Sequence, residues 1–147
     1  MKIPLKISPE NLIVAETFVR APRYHGVMGS ITFIIDTGSA ESLISETDAI
    51  KIRIPIRSLP KKENIGRALT GGAIELREIK DAMISFKIED DKIERIKVSS
   101  IDVGSSARRD EKSIIRDSII GNNFLSQNKL KLIFSPYEKI AYLEKVS

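Results

Sequence analysis

The chain has 147 residues, of which 41% are hydrophobic and 30% charged, so a mainly disordered or collagen-like protein is excluded and one domain, residues 1–147, is expected. It contains no cysteine, which excludes a disulfide framework and a thiolate nucleophile. Its single histidine, His25, is expected at the surface and cannot form a histidine metal cluster. We therefore expect no metal and no cofactor. The net charge of +4 comes from basic residues interleaved with acidic ones, so nucleic-acid binding is not expected.

The first half of the chain predicts strands. Isoleucine and valine together dominate the apolar residues of the whole chain, and β-branched side chains favour pleated strands over helices. Residues 12–20 and 24–35 are apolar runs separated by a proline-containing turn, and the second run stops at Asp36. Apolar residues resume at positions 43–44, and Ser45, followed by acidic residues, predicts the start of a short capped helix.

The middle of the chain predicts two further strand pairs. Residues 65–79 contain two apolar runs around a Gly-Gly tip, which predicts a hairpin. Residues 82–88 and 93–103 are predicted as strands joined by an acidic turn. The segment 104–116 is polar and charged, so we expect an exposed, mobile loop there.

The end of the chain predicts a buried strand, a short helix and a closing hairpin. Residues 119–121 return to an apolar strand, and Asn122 is expected to cap the helix that follows. Residues 130–134 are predicted to pair with residues 140–143 across a proline-containing turn. Together the elements predict an all-β fold with one or two short helices.

Asp36 is the candidate catalytic residue, because it ends an apolar run at a point where burial makes its charge costly. A carboxylate buried alone would simply protonate. Two such carboxylates facing each other cannot both ionise, so the pair shares one proton and contains an acid and a base at once. The sequence therefore predicts catalysis if a second carboxylate lies beside Asp36.

The three residues after Asp36 suit this chemistry. The Thr37 hydroxyl can bond across to a partner loop, Gly38 lets the backbone come close beneath the carboxylates, and Ser39 can donate a hydrogen bond to the outer carboxylate oxygen. The alternative is an ordinary turn at the end of a strand, since Asp, Gly and Ser are common in turns and short motifs arise by chance.

Three motifs in order give the chain a family resemblance. They are the strand ending in Asp36-Thr37-Gly38-Ser39, the hairpin around Thr70-Gly71-Gly72, and Ile119-Ile120-Gly121 followed by Phe124-Leu125. In this order they resemble the retropepsin and pepsin families of aspartic proteases, and the closing hairpin, residues 134–141, resembles the end of a pepsin-like lobe. Ser39 matches the pepsin-like enzymes, whereas the retroviral enzymes usually have alanine there.

The resemblance implies a single-lobe, closed β-barrel that is active as a homodimer, with Asp36 of each subunit meeting at the two-fold axis. It implies an aspartic endopeptidase that hydrolyses extended peptides or unfolded proteins through a water held between the two carboxylates. Gly121 would pack under the active-site loop, and the terminal strands, residues 2–7 and 140–146, would extend the dimer interface. A substrate-binding flap would consist of Leu69, Thr70, Gly71, Gly72 and Ala73.

A second Asp-x-Gly-Ser sequence, Asp102-Val103-Gly104-Ser105, raises the alternative of an internal pseudo-dimer. We reject it, because a chain of this length cannot supply a complete lobe around each aspartate. Asp102 is expected instead at the edge of the substrate cleft or, by analogy with ordinary charged loop residues, in solvent.

Two other functions stay open as rivals. A dimeric peptide-binding module could keep the same fold with weak or no peptidase activity. A phosphate-binding ATPase or sugar kinase also has Asp-x-Gly-Ser/Thr after an apolar strand, but such folds need a far longer chain and a second phosphate loop, which the sequence lacks.

The lack of a signal-peptide pattern or a membrane-span pattern in the sequence favours a cytoplasmic protein. Residues 1–11 contain no apolar run of signal-peptide length, and nothing later approaches the length of a membrane span. We therefore expect no membrane contact.

Overall fold

The computed structural model describes residues 1–62, 66–67, 73–106 and 117–146, with the backbone alone at residues 66, 67, 73 and 106. Its strands are β1 (Lys2–Pro4), β2 (Lys6–Ile7), β3 (Ile13–Arg20), β4 (Met28–Ile35), β5 (Leu43–Ser45), β6 (Gly66–Arg67), β7 (Ala73–Lys87), β8 (Ile93–Ser106), β9 (Ser118–Ile120), β10 (Leu130–Ser135) and β11 (Ile140–Lys145). Its helices are α1 (Glu46–Lys51), α2 (Asn122–Gln127) and a 3-10 helix (Ile56–Ser58). None of the helices in these ranges is long and apolar enough to cross a membrane.

Six strands form a closed barrel, which confirms the predicted fold class. Their hydrogen-bonded order is β3, β4, β9, β5, β8 and β7, and β7 returns to pair with β3. Most neighbours are antiparallel, whereas the pairs β4–β9 and β5–β8 are parallel. The ring closes through the pairing of β3 with β7, from Thr17 opposite Phe86 to Arg20 opposite Met83.

The alternation in β3 shows how the sequence fills the barrel. Ile13, Ala15 and Val19 are buried in the core, and the alternate residues Val14, Glu16 and Phe18 are partly or fully exposed. Thr17 occupies the same buried row, where its hydroxyl donates a hydrogen bond to the carbonyl of Ile31 at 2.8 Å. The largest fully buried side chains elsewhere in the core include Phe33, Ile44, Ile79, Ile84, Phe86 and Ile120.

The long β7–β8 hairpin corrects two predictions. The sequence predicts separate strands on either side of Asp81, but β7 is continuous. Although Asp81 takes a positive φ of 56°, the register of β7 against β8 is the same on both sides of it. The predicted loop 104–116 also begins too early. Gly104 and Ser105 are buried strand residues in β8, because β8 pairs with β7 on one side and, up to Gly104, with β5 on the other. Residues 107–116 lie outside the described part of the chain.

The hairpin predicted for residues 65–79 is present where the structure describes it. Gly66 lies opposite Ile74, and the backbone of residue 67 pairs with that of residue 73. Four of the predicted flap residues, Leu69, Thr70, Gly71 and Gly72, lie outside the described residues, and Ala73 is described only as the first backbone position of β7.

The two ends of the chain meet in a three-stranded sheet of order β1, β11, β10. Ile3 lies opposite Leu143, and both side chains are buried against the barrel core. Strands β10 and β11 form the predicted closing hairpin, with Leu132 opposite Leu143. The resemblance implies that the terminal strands extend a dimer interface; within one chain, the structure pairs β1 with β11.

Candidate functional site

Strand β4 carries Asp36 to the surface at the end of the barrel. The parallel strand β9 runs beside it, with Ile35 opposite Ile120. The Asp36 backbone N–H donates to the carbonyl of Ile120 at 3.0 Å, which extends the ladder by one bond beyond the strand. Asp36 is half-buried. The position of its backbone is therefore fixed by the sheet, while its side chain stays accessible.

The loop after Asp36 folds back onto the carboxylate. Gly38 N–H donates to Asp36 Oδ1 at 2.9 Å, and Ser39 N–H donates to the Asp36 carbonyl at 3.1 Å. Within the described residues, no hydrogen bond reaches Asp36 Oδ2. Thr37 and Gly38 are exposed. The loop thus orients one carboxylate oxygen and leaves the other open to a reactant or to a second carboxylate.

Ser39 does not make the contact that the sequence predicts. Its hydroxyl donates to the carbonyl of Glu41 at 2.8 Å, within the same loop, and not to the Asp36 carboxylate. A serine hydroxyl can donate to a backbone carbonyl two residues further along the chain, and this local hydrogen bond forms without any partner chain. Ser39 supports the shape of the loop from inside it.

Gly121 packs directly under the loop, as the resemblance implies. A Cβ atom at this position would lie 2.2 Å from the carbonyl oxygen of Glu41 and 2.6 Å from that of Ser39. Both oxygens belong to the backbone, so neither can swing aside as a flexible side chain would. Only glycine fits there, and the Gly121 N–H donates to the Ser42 hydroxyl at 2.9 Å.

Helix α2 braces the same loop through hydrogen bonds. The N–H groups of Asn122 and Asn123 donate to the carbonyls of Ser39 and Ala40 at 2.8 and 3.0 Å. The helix itself is anchored by Phe124, whose ring centroid lies 6.1 Å from that of Phe86 in the barrel core.

The structure also corrects the prediction made for Asn122. It does not cap α2, because Gly121 is the cap residue and no side chain makes a capping bond. Instead, Asn122 Nδ2 donates to the carbonyl of Thr37 at 2.7 Å. The prediction for the other helix is confirmed, since the Ser45 hydroxyl accepts from Asp48 N–H at 3.1 Å at the start of α1.

Asp102, in the second Asp-x-Gly-Ser sequence, is not in solvent, and that prediction was wrong. It lies within β8, is only 7% exposed, and pairs with Lys62 at 2.7 Å between Nζ and Oδ1. The hydrogen bond to the Asp102 carboxylate raises the pKa of Lys62. A buried carboxylate needs such a partner. Lys62 comes from a segment 40 positions away, so no local pattern could have indicated the pair. His25 is exposed, as predicted.

A group of charges lies where the segment before β6 crosses β7. Lys61 Nζ and Arg77 Nη2 approach Glu75 Oε1 at 2.8 and 3.2 Å, and Arg77 Nη1 donates to the carbonyl of Leu59 at 2.9 Å. The Lys61 ammonium, supported by Arg77, holds the pKa of the Glu75 carboxyl below its usual range. These bonds tie the base of the β6–β7 hairpin to the preceding segment.

We expect Glu75→Gln to lower the free energy of unfolding by about 0.5–1 kcal/mol at neutral pH, because the pair is partly exposed. A lowered folded pKa means that this stabilisation is complete above the ordinary glutamate pKa of about 4.3 and is lost as the pH falls through the lowered value. Urea unfolding from pH 7 to pH 3 should therefore show the difference between parent and variant shrinking with acid. Glu16→Gln, which breaks a largely exposed pair with Lys6, is the control and should have almost no effect. A difference that stayed constant or grew in acid would contradict the prediction.

The comparisons with known proteins give a match of structure alone. No family model and no curated protein sequence matches the chain. Among solved structures, the chain is similar to a retropepsin-like aspartic protease from Rickettsia conorii, with a TM-score of 0.58 and 16% sequence identity, over 97% of this chain and 90% of that one. At this identity the likeness establishes the fold. The chain therefore has the retropepsin-like fold, with Asp36 at the end of a barrel strand and Gly121 beneath its loop.

Proposed function

We propose that the protein is an aspartic endopeptidase that acts as a homodimer on extended peptides or unfolded proteins. The observation that carries the proposal is the Asp36 loop: a half-buried carboxylate with one oxygen held by Gly38 N–H, on an exposed loop braced by α2, in a chain with the retropepsin-like fold. The structurally similar protein from Rickettsia conorii is a retropepsin-like aspartic protease, which supports the same class of chemistry.

The position of the second Asp-x-Gly-Ser sequence supports the proposal that a second chain supplies the other carboxylate. Asp102 is buried within β8 and paired with Lys62, so it cannot face Asp36 as the other half of a dyad. A two-fold axis through the exposed loop would bring Asp36 of each subunit together. The exposure of Thr37 and Gly38 supports this arrangement, because a partner loop would cover these two residues.

The reaction would use the shared proton of the two Asp36 carboxylates. The ionised carboxylate removes a proton from a water between the two acids, and the water oxygen attacks the scissile carbonyl carbon. The protonated carboxyl donates a hydrogen bond to the carbonyl oxygen, and a proton then passes to the departing amine as the C–N bond breaks. No covalent intermediate and no cofactor take part.

The neighbouring residues would have supporting roles. Gly38 orients the Asp36 carboxylate through its N–H, and Ser39 and Gly121 keep the loop in shape. The Thr37 hydroxyl is placed on an exposed loop, where it would bond to the partner subunit. The segment from Leu69 to Ala73 would close over an extended peptide and pair with its backbone as an added strand.

Cleavage of a fluorescently labelled, denatured protein tests the proposal against its rival, a peptide-binding module without activity. We expect cleavage that a pepstatin-type inhibitor abolishes, with activity per chain rising with protein concentration as dimers form. Peptide binding in a fluorescence-anisotropy assay, without any cleavage between pH 3 and pH 8, would replace the peptidase with the binding module.

A further inference from the structure

The side chain of Asn122 makes one contact with the loop that carries Asp36. Its amide Nδ2 donates to the carbonyl of Thr37 at 2.7 Å, across 85 positions of sequence. The other bonds from α2 reach different points, since the Asn122 and Asn123 N–H groups bind the carbonyls of Ser39 and Ala40. Among the described residues, Asn122 is the one that holds the Thr37 carbonyl from outside the loop.

The Thr37 carbonyl and the Gly38 N–H belong to the same peptide unit. That unit is planar, and no cis peptide bond occurs among the described residues, so the carbonyl and the N–H point in opposite directions from one rigid peptide plane. The carbonyl accepts from Asn122 Nδ2, and the N–H donates to Asp36 Oδ1 at 2.9 Å. A rotation of the peptide plane that lengthens one of these hydrogen bonds must therefore disturb the other.

We propose that Asn122 is a positioning residue for the catalytic carboxylate. By fixing the Thr37–Gly38 peptide plane it aims the Gly38 N–H at Asp36 Oδ1, and it polarises that N–H, since hydrogen bonds in a chain strengthen one another. Asn122 touches neither substrate nor reacting atoms. The inference deepens the proposed function, because it assigns the orientation of the Asp36 carboxylate to a residue outside the Asp-Thr-Gly-Ser sequence.

The chain offers a matched control at the other end of α2. Asn128 Nδ2 donates to the carbonyl of Phe124 at 2.8 Å, so it makes the same kind of bond with nearly the same length, but within the helix and away from the loop. Asn122→Ala and Asn128→Ala each delete one amide-to-carbonyl bond. A merely structural role would make the two variants equivalent.

The first readout does not depend on peptidase activity. In a ¹H–¹⁵N NMR spectrum we expect the Gly38 amide resonance to move upfield in Asn122→Ala, because its hydrogen bond to the carboxylate weakens, and to stay in place in Asn128→Ala. Asn122→Asp, which keeps the size of the side chain but cannot donate a hydrogen bond to a carbonyl when ionised, should also move it. An unchanged Gly38 resonance in both Asn122 variants would overturn the inference.

The second readout is kinetic. We expect Asn122→Ala to lower kcat about three- to ten-fold, the range of one modest hydrogen bond, with KM and the melting temperature near those of the parent. Asn128→Ala should leave kcat unchanged. Equal kcat losses in the two variants, or a loss confined to KM, would refute the positioning role. A parent protein without activity would refute the proposed function, while the NMR result would still decide whether Asn122 orients the Gly38 N–H.

Discussion

Asp36→Asn is expected to reduce peptide hydrolysis by about 10³- to 10⁴-fold, because the variant dimer contains neither the base that activates water nor the acid that polarises the carbonyl. The fold should survive. Asp36 is only half-buried, and an asparagine keeps the Oδ1 acceptor for Gly38 N–H, so the free energy of unfolding should change by less than about 1 kcal/mol. Initial rates on an unfolded protein, together with urea unfolding of the same samples, measure both effects.

Asp102→Asn is the matched control, because it alters the other Asp-x-Gly-Ser sequence by the same change. It removes a buried charge that pairs with Lys62, so we expect a loss of about 1–2 kcal/mol in stability, limited by the 39% exposure of the Lys62 side chain. Its kcat per folded dimer should stay near that of the parent. A variant at position 36 that kept full activity, or a variant at position 102 that lost it while folded, would reverse the roles assigned to the two aspartates.

Gly121→Ala is expected to destabilise the protein by about 3 kcal/mol or more and to abolish activity, because the added Cβ overlaps two backbone carbonyl oxygens. Relief of the overlap requires Gly121 and the Ser39–Glu41 segment to separate. That movement breaks the hydrogen bond from Asn122 N–H to Ser39 and shifts the loop that carries Asp36. Urea unfolding measures the loss of stability, and the cleavage assay measures the loss of activity.

Gly26→Ala provides the control for a glycine that matters only for its backbone conformation. Gly26 has a φ of 73° and nothing lies within 4 Å of the added methyl group, so the cost should be limited to backbone strain of about 1–2 kcal/mol, without loss of kcat. If Gly121→Ala proved no less stable than Gly26→Ala, the close packing beneath the Asp36 loop would be refuted.

The sequence predicts the parts of the site that depend on neighbours along the chain. An apolar strand that stops at Asp36 and a serine before acidic residues at Ser45 each have local physical causes, and the structure places Asp36 at the end of β4 and Ser45 at the start of α1. The position of Gly121 beneath the loop was implied by the family resemblance and not by a local pattern, and the structure places it there.

The sequence fails where a side chain finds its partner through the fold. Asp102 resembled a loop residue, because Lys62 is distant in sequence. The segment of Lys62 pairs with β7, and β7 pairs with β8, which brings Lys62 to Asp102. Asn122 resembled a helix cap, because asparagine is common at that position and the Thr37 carbonyl is supplied by the loop after β4, which is distant in sequence. Asp81 resembled a strand break, yet its positive φ is accommodated inside a continuous ladder. In each case local preference was overruled by tertiary contacts.

The central claim is that two chains contribute one Asp36 each to a single active site, and subunit mixing tests it most directly. Equal amounts of parent and Asp36→Asn chains, unfolded and refolded together, should form parent, mixed and variant dimers at random. Since only parent dimers contain both carboxylates, activity should fall to about one quarter of that of the same total amount of parent chain. A value of about one half would show that each chain acts alone and would contradict the shared dyad.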